Sequence, residues 1–187
     1  MFVRHGYGAT TMRAIASEIE LTPTAIYHHF RSKEALLTEL VTSDFRTLGA
    51  ALRRAGQITD PIERVERLGH AYVAFAVEHP MHYQLMFMSS RPTLADDVQH
   101  GDPGQDAYAV LRASCAEALE MGRFAAAYQD VDEIAQILWS GLHGLLALHI
   151  TKRDARWLAW RDTQRTSAHL MQALMTGLLA ESAQSAQ

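Results

Sequence analysis

The 187 residues include 48% hydrophobic and 20% charged side chains and carry a formal net charge of -4. This much apolar material builds a folded core and excludes a disordered chain, and the length suits one small unit joined to one larger one. The lone cysteine, Cys115, excludes an internal disulfide and any multi-cysteine zinc site, and fits a reducing compartment.

In chain order, Phe2 reads as the last core residue of a short first helix that Gly6 closes. Only Met1 to His5 precede Gly6-Tyr7, too little helix to cover Ile15, Ile19 and Leu37, so further residues are expected upstream of Met1 in the natural protein. Thr10 or Thr11 caps a helix whose inward face is Ile15, Ala16 and Ile19, and Glu20-Leu21 turns the chain. If the backbone at Glu20 is left-handed, glutamate tolerates it less well than glycine would. Thr22 caps the next helix, with Pro23 at its first position, where a missing N–H costs nothing. That helix buries Ile26 and Phe30 and turns Thr24, Ala25, Tyr27 and His28 outward, although the ring of Tyr27 also suits a core position. Ser32 caps a third helix, with Lys33 in its first turn. Two helices crossing over so short a turn set the second into a major groove, so a helix-turn-helix reader of double-stranded DNA is expected.

Through residue 40, Arg4, Arg13, Arg31 and Lys33 cancel Glu18, Glu20, Glu34 and Glu39, so the acidic excess lies downstream of the reader. A near-neutral reader implies modest non-specific affinity and reliance on a dimer that spans two half-sites. Arg13 and Arg31 read equally well as solvated surface. Thr24 and Ala25 are small and offer a methyl group or a single hydrogen bond, which leaves part of the specificity to DNA shape.

The run Gly6-Tyr7, then T-T-M-R-x-I-A from Thr10, L-T-x-x-x-I-Y-H-H-F from Leu21 and S-K-E-A-L-L from Ser32 resembles the tetracycline-repressor (TetR) family. The resemblance implies that Thr22 to His29, with Pro23 in its first turn, is the recognition helix. Thr24 and Ala25 would lie nearest the base edges, and Thr11, Tyr27, His28 and Lys33 would contact phosphates. Elementary chemistry agrees with these roles. Helix N-termini attract phosphate, and a phenolic hydroxyl such as that of Tyr27 sets register without reading sequence.

Downstream, no strand pattern emerges, and an all-α fold is expected. Helices are expected from about Lys33 to Ala55, then from Asp60-Pro61 with an inward stripe of Val65, Leu68, Tyr72, Phe75, Ala76 and His79, then from Pro80 to Met88. Ser89 to Gly104, with Pro92, Gly101, Pro103 and Gly104, reads as a long loop and a candidate lid. Further helices are expected at about Gln105 to Met121, Asp130 to Lys152 and Arg161 to Ala180, before a frayed polar tail from Glu181. The longest apolar stretch, Leu142 to Ile150, is interrupted by His143 and His149; neither a membrane span nor a secretory leader is expected, and the cytoplasm is the expected location.

Ile134, Ile137, Leu138, Leu142 and Leu145 place apolar groups on more than one face of their helix, and Leu170, Leu174, Leu178 and Leu179 form a stripe on the last. The resemblance implies that these two helices pair with their copies in a homodimer; the alternative is that they fill one monomer's core. The family pattern also divides the chain into a reader over 1–45 and a helical effector-binding and dimerisation domain over 46–187.

Two local patterns narrow the resemblance: W-x-x-x-H-G from Trp139 to Gly144, similar to one TetR C-terminal subgroup, and P-x-x-Y-x-L-M-F from Pro80 to Phe87, which goes with it. In the family this domain usually binds a small molecule. Tyr72, Phe75, Tyr83, Met86 and Phe87 are candidate lining residues for a hydrophobic or aromatic effector, together with Tyr108, Leu111, Cys115, Trp139 and His143. Each also serves as plain core. No G-x-S-x-G elbow, phosphate-cradling glycine loop or H-E-x-x-H motif is present, so neither catalysis nor a cofactor is expected. His79 and His82 lack a third metal ligand nearby. The expected function is a repressor released from a palindromic operator by its effector. The alternative is a helical dimer that answers a protein partner, which a cavity-free aromatic cluster would favour.

Overall fold

The computed structural model describes residues 1–89 and 106–180. Among these residues the chain forms α1 (Phe2–Ala9), α2 (Met12–Glu18), α3 (Pro23–His29), α4 (Lys33–Ala55), α5 (Pro61–Glu78), α6 (Pro80–Met88), α7 (Ala107–Glu120), α8 (Val131–Thr151) and α9 (Thr163–Leu178). The fold is all-α, as expected. Apart from Ser89, the expected loop from Ser89 to Gly104 lies outside the described residues, as does the tail.

The helix starts follow the cap chemistry of the sequence. Oγ1 of Thr11 accepts from the Ala14 N–H at 3.1 Å, Oγ1 of Thr22 from Ala25 at 3.2 Å, and Oγ of Ser32 from Ala35 at 3.1 Å. Thr11 is therefore the cap of α2. Its neighbour Thr10 is fully buried and donates its hydroxyl to the Gly6 carbonyl at 2.8 Å. Aspartates 60, 106, 130 and 162 cap α5, α7, α8 and α9 in the same way.

The stop of α2 is also local chemistry. The Leu21 N–H donates to the Ala16 carbonyl at 2.9 Å and the Glu20 N–H to the Ser17 carbonyl at 3.3 Å, the bond pair of a Schellman C-cap. That motif needs a left-handed residue, and Glu20 supplies it with φ 57°. The chain uses the same device after α7, where Gly122 holds φ 66°. Gly6, at φ 76°, kinks α1 into two pieces.

The reader closes over Met12, Ala16 and Ile26, with Ile15, Phe30 and Leu36 packed beside them. One expected inward residue is not there: Ile19 is 54% exposed. As the C-cap of α2, just before the left-handed Glu20, Ile19 no longer follows the helical register. Met12, one turn before Ala16, occupies the core instead.

Helix α4 runs unbroken through residue 45 and joins the reader to the larger core. Around it pack α5, α6 and α7, while α8 and α9 lie against α5 and against each other. The α5 stripe is buried at Val65, Leu68, Tyr72, Phe75 and Ala76. His79 is exposed, because it stands at the Pro80 break as both the end of α5 and the cap position of α6. Helix α8 is long and apolar enough to cross a membrane by length and composition, but its Ile134, Ala135, Leu138, Leu142 and Leu146 are core residues. Gly141 of α8 admits α9, since a Cβ there would lie 2.8 Å from Leu174 Cδ1. The end of α9 is pinned by backbone bonds from Ala125 N–H to the Leu178 carbonyl, 2.8 Å, and from Ala180 N–H to the Arg123 carbonyl, 3.0 Å.

Candidate DNA reader and effector cavity

In the reader, Thr22, Pro23, Thr24, Tyr27 and His28 are exposed, and Ala25 is half-buried. Tyr27 is 53% exposed, so its ring is not part of the core. Thr11 is exposed too, and its hydroxyl keeps a proton to donate while its oxygen caps α2. These side chains stand at the start of α2 and along α3. His29, Arg13 and Arg31 are exposed as well.

Lys33 is placed differently. Its ammonium donates to the carbonyls of Tyr7 and Thr10, the latter at 2.7 Å, and lies 4.1 Å from the centroid of the Tyr7 ring. A lysine so engaged holds the C-terminal end of α1 against the start of α4. Sequence reasoning missed this role, because nothing local in S-K-E-A-L-L announces a carbonyl partner more than twenty residues upstream.

The second site is a cavity of about 410 Å³ in the larger domain. Tyr72, Phe87, Tyr108, Leu111 and Trp139, all expected, line it. Phe75, Tyr83, Met86, Cys115 and His143, also expected, are not on its wall. Phe75, Tyr83, Met86 and Cys115 are buried in the surrounding core. Burial pushes the Cys115 thiol up to about 12. Phe45, Leu48 and Leu52 of α4, Leu138 and Leu142 of α8, and Met171 of α9 complete much of the wall and were not foreseen as lining. Their apolar spacing was legible, but the choice between core and cavity wall depends on how far the helices stand apart. Gly69 sits at this junction: a Cβ there would lie 2.1 Å from Cε of Met171.

Beside the cavity runs a chain of polar groups. Trp139 Nε1–H donates to Tyr72 Oη at 3.1 Å, Tyr72 Oη and Tyr83 Oη are 2.7 Å apart, and Tyr83 Oη is 2.7 Å from His143 Nδ1. Trp139 and His143, one turn apart on α8, thus face the two tyrosines of α5 and α6 together. Burial holds His143 below the usual histidine range and raises both phenols, Tyr72 to about 12. The network is therefore neutral at physiological pH. Phe87 packs against Tyr83 at 4.9 Å between ring centroids and against Phe45 at 5.4 Å.

Helix α6 touches both sites. Phe87 is on the cavity wall, while Leu85 packs with Leu37 and Val41 of α4 and with Phe2, Val3 and Tyr7 of α1. His82 Nδ1 lies 2.9 Å from both carboxylate oxygens of Asp44, joining α6 to α4 a second time. Among the described residues no group of three or more His, Cys, Asp or Glu gathers as a metal site.

Fold and sites together define a helical protein with a helix-turn-helix end and a hollow helical domain joined by one long helix. Residues 1–40 match the family described as bacterial regulatory proteins, tetR family, and residues 65–174 match the tetracyclin repressor-like C-terminal domain. The chain belongs to the TetR family of transcriptional regulators. It is similar to the HTH-type transcriptional repressor KstR2 of Mycobacterium tuberculosis, with 38% identity over 80 residues, 42% of this chain and 40% of that protein. Matches to the curated relatives thus span less than half of their length. Among solved structures, the TetR-family regulator PfmR of Thermus thermophilus shares the fold with TM-score 0.71 and 23% identity, over 96% of this chain and 94% of that one. The fatty acid degradation regulator FadR of Bacillus halodurans does so with TM-score 0.74 and 17% identity, over 94% and 89%.

Proposed function

We propose that the chain is a homodimeric cytoplasmic repressor that leaves a palindromic operator when a small, largely apolar effector enters the cavity. The observation that carries this reading is that α4, which begins in the reader, itself walls the cavity with Phe45, Leu48 and Leu52. An occupant that moves α4 or α6 changes the seating of α1, because Leu85 packs onto Leu37, Val41 and the α1 side chains. Ligand then favours the conformer whose half-site spacing no longer matches DNA. The presence of a cavity supports an effector over the alternative of a protein partner. In this reading 1–45 is the reader and 46–187 the effector and dimer domain. Thr22, Pro23, Thr24 and Ala25 approach the bases, and Thr11, Tyr27 and His28 hold phosphates. Lys33 acts mainly by fixing α1. Support for a dimer through α8 and α9 comes from α8, where Leu148 is 55% exposed and Leu145 is half-buried outside the core cluster.

The test is binding of the full chain to DNA flanking its own gene across a salt series. Expected is tight binding to a palindromic fragment, weakened about tenfold in Tyr27→Ala with a salt slope shallower by about 1 for the lost phosphate contact. Binding with no sequence preference, or unaffected by Tyr27→Ala, overturns the assignment of α3 as the reader.

A further inference from the structure

The cavity wall is unusual in its charge. Among its described residues none is Lys, Arg or His, and its one carboxylate, Asp106, caps α7 by accepting from the Tyr108 N–H at 2.9 Å. Among the described wall residues a ligand carboxylate would meet no cation and would share the wall with a charge of its own sign. A ligand ammonium would compete with a helix N-terminus for Asp106. Besides the Asp106 cap, the described wall holds the side-chain pair Trp139 and Tyr72, which is the end of the polar chain leading to His143, and the buried hydroxyl of Tyr108.

Tyr72 Oη also lies 3.4 Å from His143 Nδ1, a longer contact than the two 2.7 Å bonds through Tyr83. Along those shorter bonds the protons can run in either direction. With Nδ1 of neutral His143 accepting, Tyr83 donates to His143, Tyr72 donates to Tyr83 and Trp139 donates to Tyr72. With the His143 proton on Nδ1, His143 donates to Tyr83, Tyr83 donates to Tyr72, and the Tyr72 hydroxyl proton is released to another acceptor. The two differ by a shift of the imidazole proton from Nε2 to Nδ1, through water at the half-buried ring, and by rotation of two hydroxyls; no net proton is gained or lost. Trp139 donates to Tyr72 in both.

Resting on the effector reading above, we infer that the cavity takes an uncharged, largely apolar molecule carrying a carbonyl-type acceptor, which the Tyr72 hydroxyl reads. The reversible chain Trp139–Tyr72–Tyr83–His143 lets Tyr72 donate to such a group without orphaning any N–H or O–H donor. A purely hydrocarbon ligand leaves the chain in its first arrangement and gains nothing from it.

The test uses four fluorescent probes on one ring system, titrated into the full chain by anisotropy: 1-acetylpyrene, 1-ethylpyrene, 1-pyrenecarboxylate and 1-pyrenemethylamine. Expected is about fivefold tighter binding of the acetyl than of the ethyl compound, and more than about tenfold weaker binding of the carboxylate than of the acetyl compound. Tyr72→Phe is expected to bring the acetyl-to-ethyl affinity ratio to about one, the ratio being read within each variant so that any change of the cavity felt by both probes cancels. Tightest binding of the carboxylate or the amine overturns the inference, as does an acetyl preference that persists in Tyr72→Phe. Failure of all four to bind the wild type overturns the effector reading itself.

Discussion

Replacing Glu20 by glycine is expected to stabilise the protein, although it removes a side chain and adds none. Glu20 is the left-handed residue of the α2 C-cap, with φ 57°, held there by the Leu21-to-Ala16 and Glu20-to-Ser17 backbone bonds. An L-residue in that conformation costs about 1–2 kcal/mol, while glycine loses about 0.5–1 kcal/mol more chain entropy on folding, so the net gain is about 0.5–1 kcal/mol. For a chain of this size that is a rise of about 1–4 °C in Tm. Gly122 is the internal control: it holds φ 66° in the equivalent motif after α7, and a Cβ built there meets nothing within 4 Å. Gly122→Ala therefore carries backbone strain alone and is expected to cost about 1 kcal/mol. Urea unfolding followed by far-UV circular dichroism measures both, at one fixed protein concentration because dimer stability depends on it. Glu20→Ala separates loss of the carboxylate from relief of strain, since alanine keeps the strained backbone. If Glu20→Gly is no more stable than Glu20→Ala, the strain argument is wrong.

Gly69→Ala is expected to shrink the cavity. The new Cβ would fall 2.1 Å from Met171 Cε, the free end of a flexible side chain, which has the cavity to swing into. Binding of 1-ethylpyrene should weaken several-fold while stability changes by less than about 1.5 kcal/mol; unchanged probe binding would show that Met171 moves elsewhere. His143 gives a pH signature. Its folded-state pKa lies below the unfolded value because burial disfavours the charged ring. The unfolded state therefore binds more protons as pH falls from about 6.5 towards the depressed native value, and stability declines over that window. Above it both states are neutral and the group contributes no pH dependence. His143→Gln should flatten that part of the stability–pH curve, and an unchanged curve would assign the decline to other groups.

Much of this protein is local, and local features are what a sequence determines by itself. Cap residues, Pro at first helical positions and the run of apolar spacings set α4, α5 and α6 between the residues expected, because each depends on neighbours within a turn or two. The reader was legible for the same reason: Thr11 and Thr22 cap the seven-residue helices α2 and α3, too short to leave much choice of face, and Ser32 marks the start of α4. What only tertiary structure decided involves partners distant in sequence. Lys33 is expected from the resemblance at a phosphate, and the fold also binds its ammonium to the carbonyls of Tyr7 and Thr10, which no local spacing announces. Ile19 fits the helical period and is exposed, since the period ended one residue before it. The aromatic and methionine positions of the larger domain were recognisable as apolar. Whether each became core, like Cys115 and Met86, or cavity wall, like Phe87 and Trp139, depended on interhelical distances that small residues such as Gly69 and Gly141 control. The pairing of Tyr72, Tyr83, Trp139 and His143 joins three helices, and no spacing within any one of them encodes it.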